Sequence, residues 1–303
     1  MMDARPTLPP RAADGHKGTF GTVAVVGGTA AAPRIMLGGP ALTARAALRT
    51  GAGLSILAMP SPLVTAGLTV APEATGLALP VTSDGALEPA GAAEVLDRHL
   101  TGRLCLAIGP GLGVSDGPRR MVLRLLARDL HPVVVDADAI NVLADAPNLQ
   151  SDLVAPMIFT PHPGEYQRLA RGLGVTADPV DPASRPAAAE ALARRLGAVV
   201  VLKGQGTVIS DGQRTRVNDT GSAALATAGS GDVLTGIIAS LVAQFALPLG
   251  AGALDLFECA VLGVYLHGSA ADHWCLRHGS TGLLAGDLAD AIPGAMEQLR
   301  TDA

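Results

Sequence analysis

Six short apolar runs constrain this chain more than any other feature of its sequence. They are "TVAVVGG" (Thr22–Gly28), "LSILAMP", "LCLAIGP", "PVVVDAD", "MIFTPHP" and "VVVLKGQ". Each passes into a turn, and helical patterns lie between them. Runs of this length without polar alternation suit strands covered on both faces. Helices between such strands make the neighbours parallel. The pattern therefore predicts an α/β fold with a mostly parallel central sheet and helices on both faces. "SDGPRRMVLRLLARDL" reads as one of the helices, with Ser115 or Asp116 as its N-cap. One segment departs from the rule. In "TVISDGQRTRVN", Asp211-Gly212 between two extended runs signals a tight hairpin, so a late antiparallel pair is expected. The Pro- and Ala-rich "VTADPVDPASRPAAAE" reads as a surface connection rather than a domain boundary.

A length of 303 residues allows one large α/β domain or two small ones. Hydrophobic residues make up 49% but aromatics only 2%, so the core must be built from Val, Leu, Ile and Ala. The net charge of −5 comes without a basic run, which argues against nucleic acid while leaving room for a local site for a small anion. Cys105, Cys259 and Cys275 are odd in number and fit no metal spacing; they read as buried thiols in a reducing compartment. The first residues lack the apolar run of a signal peptide. The uncharged stretch Val233–Leu254 contains Pro248, Gly250 and Gly252 after a helix-length pattern, and reads as a buried helix and loop rather than a membrane span. A cytoplasmic protein is expected.

Polar and glycine residues cluster just after the strand ends, where an open α/β sheet binds its ligands. In "ATAGSGDVLTG", Gly229, Ser230 and Gly231 can turn their amides toward one point. A buried helix face marked by Val233, Leu234, Ile237, Ile238, Leu241, Val242 and Phe245 starts there. A loop and helix N-terminus of this kind can receive a phosphoryl group. Asp232 is then either the cap of its helix or the base that takes a proton from an attacking hydroxyl. "VVVLKGQGT" places Lys203 and Thr207 at a strand end with glycines between, a pattern suited to nucleotide phosphates or simply to a solvated turn. In "TPHPGEYQRL", His162 can donate to a polar ligand. Glu165 can order water on Mg²⁺, or serve as an ordinary first-turn acid. Asp136, Asp138 and Asn141 of "VVVDADAIN" read as residues behind the site or around metal-bound water. His267 reads as a packed, hydrogen-bonded histidine.

The ordered set "HKGTFGTVAVVGG", "ALRTGAGL", "AIGPGLG", "VVVDADAIN", "TPHPGE", "VVLKGQGT", "ATAGSGDVLTG" and "YLHGSAAD" resembles the ADP/ATP-dependent NAD(P)H-hydrate dehydratases, which have a ribokinase-like fold. The resemblance runs from about Gly15 to the C-terminal helix, implying a tail over 1–14 and one domain over 15–303. It implies phosphorylation of the hydroxyl on a hydrated nicotinamide ring, followed by loss of phosphate to restore NADH or NADPH. By this resemblance Asp232 is the catalytic acid-base residue, with Gly229, Ser230 and Gly231 as the anion hole. Lys203, Gly204, Gln205, Gly206, Thr207 and Gly231 bind the nucleotide. Gly39, Gly113, His162 and Asp232 contact the hydrated dinucleotide.

Two positions depart from the family pattern. Gly38-Gly39 stands where Gly-Ala is usual, and Gly221, Ser222, Ala223 where Gly-Asn-Pro is usual. The chain has no room for the fused epimerase domain of many members, so a stand-alone form and a separate epimerase are implied. The resemblance also implies ADP as phosphate donor, with ATP as the other option, Mg²⁺, and a homotetramer. A small-alcohol kinase such as hydroxyethylthiazole kinase, or a non-catalytic nucleotide sensor, would share the glycine loop.

Overall fold

A computed structural model describes residues 6–146, 149, 153–247, 250 and 252–301. The apolar runs are strands, and most lead directly into helices. In chain order these are β1 (Thr22–Val26), α1 (Gly38–Arg49), β2 (Leu54–Pro60), α2 (Val64–Val70), β3 (Thr75–Leu79), α3 (Pro89–His99), β4 (Cys105–Ile108) and α4 (Asp116–Leu126). There follow β5 (Val133–Val135), α5 (Asp138–Ala144), β6 (Met157–Phe159), α6 (Pro163–Leu173) and α7 (Arg185–Leu196). Then come β7 (Val199–Leu202), β8 (Val208–Ser210), β9 (Thr215–Val217), α8 (Ser230–Leu241), α9 (Leu256–His278) and α10 (Ala285–Thr301).

One sheet holds the nine strands in the order β3-β2-β1-β4-β5-β6-β7-β8-β9. Pairing is parallel from β3 to β7 and antiparallel from β7 through β9. The hairpin expected at Asp211-Gly212 joins β8 to β9. Strand β3 was not among the expected strands; its sequence "TGLAL" lacks a β-branched run, and it lies at the sheet edge, half exposed. Ser115 does occupy the N-cap of α4, without a side-chain capping bond, while Asp116 pairs with Arg119 and Arg120.

The parallel strands alternate their side chains between two cores. Val23 and Val25 of β1 join one, Ala24 and Val26 the other. Helices α1, α8, α9 and α10 cover the first face; α3 to α7 cover the second. Leu8 is buried in the first core, and Arg11 donates to the Gly51 carbonyl at 2.8 Å. The strand order reverses between β1 and β4, which opens a crevice at their C-terminal ends. The two loops touch there. Gly28 N–H donates to the Pro110 carbonyl at 3.0 Å, and a Cβ on Gly27 would lie 2.3 Å from that same oxygen.

The apolar pattern that begins after Asp232 is the most deeply buried helix of the chain. Every residue from Val233 to Leu241 is buried, and the helix widens into a π turn over Val242–Ala246. Pro248 lies outside the described residues. Among those described, no helix is long and apolar enough to cross a membrane. Helix α8 packs directly on α1. A Cβ on Gly236 would come within 2.3 Å of the Thr43 carbonyl oxygen. Gly236→Ala must push the two helices apart, and overpacking of this kind costs about 1–3 kcal/mol. Denaturant unfolding of the variant is expected to show that loss, against little change for Gly294→Ala, where nothing lies within 4 Å.

Candidate active site

The N-terminus of α8 points into the site because a left-handed glycine turns the chain just before it. Gly229, at φ +85°, is the N-cap and has no side chain to offer the helix. Gly231 lies within the first turn, so the unusual backbone conformation belongs to Gly229. No acceptor among the described residues takes the N–H groups of Gly231 and Asp232. These amides and the helix dipole form an anion-binding corner. Ser230 faces elsewhere: its hydroxyl lies 3.1 Å from His267 Nε2, and its carbonyl 2.9 Å from the same nitrogen. His267 is buried, as expected of a packed histidine, and burial holds its pKa down at about 4, so it is neutral.

Asp232 is the third residue of α8, three positions past the N-cap Gly229, and it does not cap the helix. Its backbone carbonyl accepts from Thr43 Oγ1 at 3.0 Å, and the same hydroxyl lies 3.0 Å from the Gly39 carbonyl. This ties the start of α1 to the start of α8. A Cβ on Gly39 would sit 3.2–3.3 Å from the Asp232 carboxylate atoms. The carboxylate accepts no hydrogen bond among the described residues. Burial, reinforced by the nearby Asp136, pushes its pKa up to about 7, with Lys203 pulling the other way.

Lys203, at the end of β7, reaches the same corner. A Cβ on Gly231 would lie 3.4 Å from its Nζ. The ammonium pairs with Asp136 at 2.7 Å and lies 3.8 Å from Glu165. Burial opposes its charge, but Asp136, Glu165 and Asp232 outweigh this and hold its pKa above the ordinary value. Asp136 is buried and also accepts from Thr160 Oγ1 at 2.7 Å and Thr235 Oγ1 at 2.8 Å. The next residue, Ala137, adopts φ +50°, which costs a non-glycine residue about 1–3 kcal/mol. The turn sends Asp138 the other way, where its carboxylate accepts the Gly113 N–H at 2.8 Å. Asn141 follows on α5 and accepts from Arg168.

His162 and Glu165 are joined at the start of α6. His162 Nδ1 accepts from Gly164 N–H, and its own N–H donates to Glu165 at 2.8 Å, a capping box. His162 Nε2 lies 3.3 Å from the other Glu165 oxygen. Burial, then Lys203 and Arg168, lowers the His162 pKa; burial, against Lys203, raises that of Glu165. No group of three or more His, Cys, Asp or Glu among the described residues is placed to cage a metal ion. Both Glu165 oxygens are engaged by His162, so a Mg²⁺ ion held chiefly by phosphates could reach this carboxylate only through water.

A cavity of about 710 Å³ opens beside the corner, lined by Lys203 to Thr207, Ser222, Ser230 and Gly231. Thr207 Oγ1 donates to the Gly204 carbonyl at 2.9 Å and so closes this loop on itself. Gly221 and Ser222, at the position where the sequence departs from the family pattern, form part of the wall. Asp272 on α9 accepts the Gly221 N–H at 2.8 Å, and Cys275 Sγ lies 3.4 Å from Ser222 Oγ. Gly231 therefore borders the cavity, and Asp232, one residue on, faces Gly39. Gly113 lies after β4, close to Thr29 beyond β1, across the strand-order reversal.

A family model described as NAD(P)H-hydrate dehydratase matches residues 23–294. The chain belongs to the NAD(P)H-hydrate dehydratase family. Its layered sheet with a late antiparallel edge is the ribokinase-like fold expected. Among its relatives, a bifunctional NAD(P)H-hydrate repair enzyme of Moorella thermoacetica is 41% identical over 98% of this chain and 53% of its own length. The chain spans about half the length of the first such relatives. An ADP-dependent (S)-NAD(P)H-hydrate dehydratase of Neisseria meningitidis is 39% identical over 96% of this chain and 88% of its own. The crystal structure of the ADP/ATP-dependent NAD(P)H-hydrate dehydratase of Bacillus subtilis, co-crystallized with ATP/Mg²⁺, superposes with a TM-score of 0.72. It is 31% identical and is covered over 95%, against 97% of this chain.

Thr43, Thr160, Thr235 and the pairing of Asp136 with Lys203 were not foreseen as parts of this site. Only Lys203 and the acids of "DADAIN" gave a signal, and each was read apart from the other. The raised pKa of Asp232 has a stability consequence. Its value lies near 4 in the unfolded chain and about 7 in the folded protein. The folded state therefore binds more protons between these values, and stability falls as pH rises through that window. Asp232→Asn removes this dependence. The melting temperature of the variant relative to wild type is expected to climb from pH 4 to pH 8; a constant difference would place the Asp232 carboxyl in an ordinary, solvated environment.

Proposed function

We propose that the protein is an ADP-dependent dehydratase of hydrated NADH and NADPH, restoring the cofactor. The observation that carries this reading is the place of α8's first turn, with the nucleotide-sized cavity bordering Gly231 and the open side of Asp232 facing Gly39. A phosphate donor in the cavity and an alcohol beside Gly39 would meet across the same free amides. In this reading Asp232 takes the proton of the ring hydroxyl, and the oxygen attacks the terminal phosphorus of ADP. The phosphorus–oxygen bond to AMP breaks, while the Gly231 and Asp232 amides and Lys203 hold the developing charge. The carbon–oxygen bond of the phosphorylated ring then breaks, driven by the ring nitrogen lone pair. Loss of a neighbouring C–H proton restores the double bond. Mg²⁺, when bound with the nucleotide, neutralises phosphate charge, with Glu165 acting on it through water. Lys203 to Thr207 hold the nucleotide; Gly39, Gly113 and His162 bound the dinucleotide.

With this function goes a cytoplasmic homotetramer. Residues 15–303 act as one domain behind a short tail.

The test is incubation with hydrated NADH, Mg²⁺ and each nucleotide in turn, following absorbance of restored NADH. ADP is expected to support turnover with release of AMP and phosphate. A stable phosphorylated alcohol with no NADH would instead indicate a small-alcohol kinase; nucleotide binding with no turnover would indicate a sensor. Asp232→Asn is expected to lose about 10²–10⁴-fold in rate while still binding ADP. A variant retaining half the wild-type rate would remove Asp232 from the mechanism. The wild-type kcat/KM is expected to rise as pH climbs through about 7, where Asp232 loses its proton. Gly231→Val places a branched side chain against Lys203 and the free amides. It is expected to lower kcat far more than it lowers the melting temperature.

A further inference from the structure

Arg185 is the first residue of α7 and is only 6% exposed. Its Nη1 donates to the Pro179 carbonyl at 2.8 Å, and Nη2 to the carbonyls of Leu202 at 2.9 Å and Lys203 at 3.2 Å. Its Nε is buried and has no partner. No carboxylate pairs with it among the described residues. This is an unfavourable place for a cation. The N-terminus of a helix carries partial positive charge, and burial of an unpaired charge is costly. Burial lowers the Arg185 pKa, yet a guanidinium does not lose its proton in proteins. Backbone carbonyls offset part of the charge, and nothing described neutralises it.

The guanidinium lies against the cavity loop. Gly204, at φ +139°, lines the cavity, and a Cβ on it would stand 3.1–3.4 Å from the Arg185 guanidinium atoms. By drawing the Lys203 carbonyl toward itself, Arg185 also turns the Gly204 N–H of that trans peptide the opposite way. We propose that Arg185 is a positioning residue for the phosphate donor: its unneutralised charge, packed against Gly204 beneath the cavity loop, favours a nucleoside polyphosphate over the bare nucleoside. The inference rests on the reading of the cavity as the nucleotide site.

Calorimetric titration of ADP and adenosine into the wild type, Arg185→Gln and Arg185→Lys tests it, with melting curves for each protein. Arg185→Gln is expected to weaken ADP about tenfold while adenosine changes by less than about twofold. Arg185→Lys, which keeps the charge but not the paired carbonyl bonds, is expected to keep the ADP-to-adenosine ratio. A folded Gln variant with an unchanged ratio would overturn the inference, because a loop merely held in shape would weaken both ligands alike. If the Gln variant does not fold, the Lys variant decides. A retained ratio supports the role of charge, and a tenfold collapse overturns it. A wild type that binds no ADP removes the nucleotide reading and this inference with it, whereas ADP binding with an unchanged Gln ratio removes the inference alone.

Discussion

The buried pair of Lys203 and Asp136 is the interaction on which the site depends. Four elements converge on it: Asp136 follows β5, Thr160 follows β6, Lys203 follows β7, and Thr235 comes from α8. Asp136 accepts from all three partners, so its negative charge is well satisfied despite burial. Removal of either charged partner would leave the other buried without its nearest counter-charge, a loss of up to about 3–5 kcal/mol. The pair also sets the electrical character of the corner. Lys203 stays protonated beside the free amides, and the nearby Asp136 makes it harder for Asp232 to ionise. The same side chains thus join the sheet to α8, while burial, reinforced by Asp136 and opposed by Lys203, brings the Asp232 pKa to about 7.

Much of this was legible in the sequence because the elements are local. Apolar runs without alternation mark strands buried on two faces, and glycine and polar clusters after them mark the ligand edge. Asp211-Gly212 announced the hairpin. The helix after Asp232 was visible as an apolar face, and the motif order pointed to the family. What could not be read is pairing over long separations. Asp136 and Lys203 are 67 residues apart, and Ser230 and His267 are 37 apart. Each looks like an ordinary polar residue until the sheet order brings it to its partner. The backbone of the glycine loop was equally hidden. Gly229 and Gly231 are identical in sequence terms, and only the entry of the chain into α8 makes the first left-handed. Strand β3 escaped because an edge strand half exposed to water needs no apolar run.

The site draws on both layers of the fold. Helices α1 and α8, from one core, supply Gly39 and Asp232. The turns into α5 and α6, from the other, supply Asp138, His162 and Glu165. Lys203 and its loop leave the last parallel strand, where the sheet turns antiparallel. Substrate and phosphate donor would therefore approach the same helix end from opposite sides of the strand-order reversal, each against a wall built by different elements.

The spacing of α1 and α8 is governed at Gly236, one turn beyond Asp232, where the missing Cβ lets the Thr43 carbonyl come close. This contact is a fulcrum. A small rotation of α1 about it would change the room between Gly39 and the Asp232 carboxylate, although no ligand reaches Gly236. Substitutions along the helix crossing can in this way widen or narrow the space beside the Asp232 carboxylate from a distance, with Gly39 and Asp232 themselves unchanged.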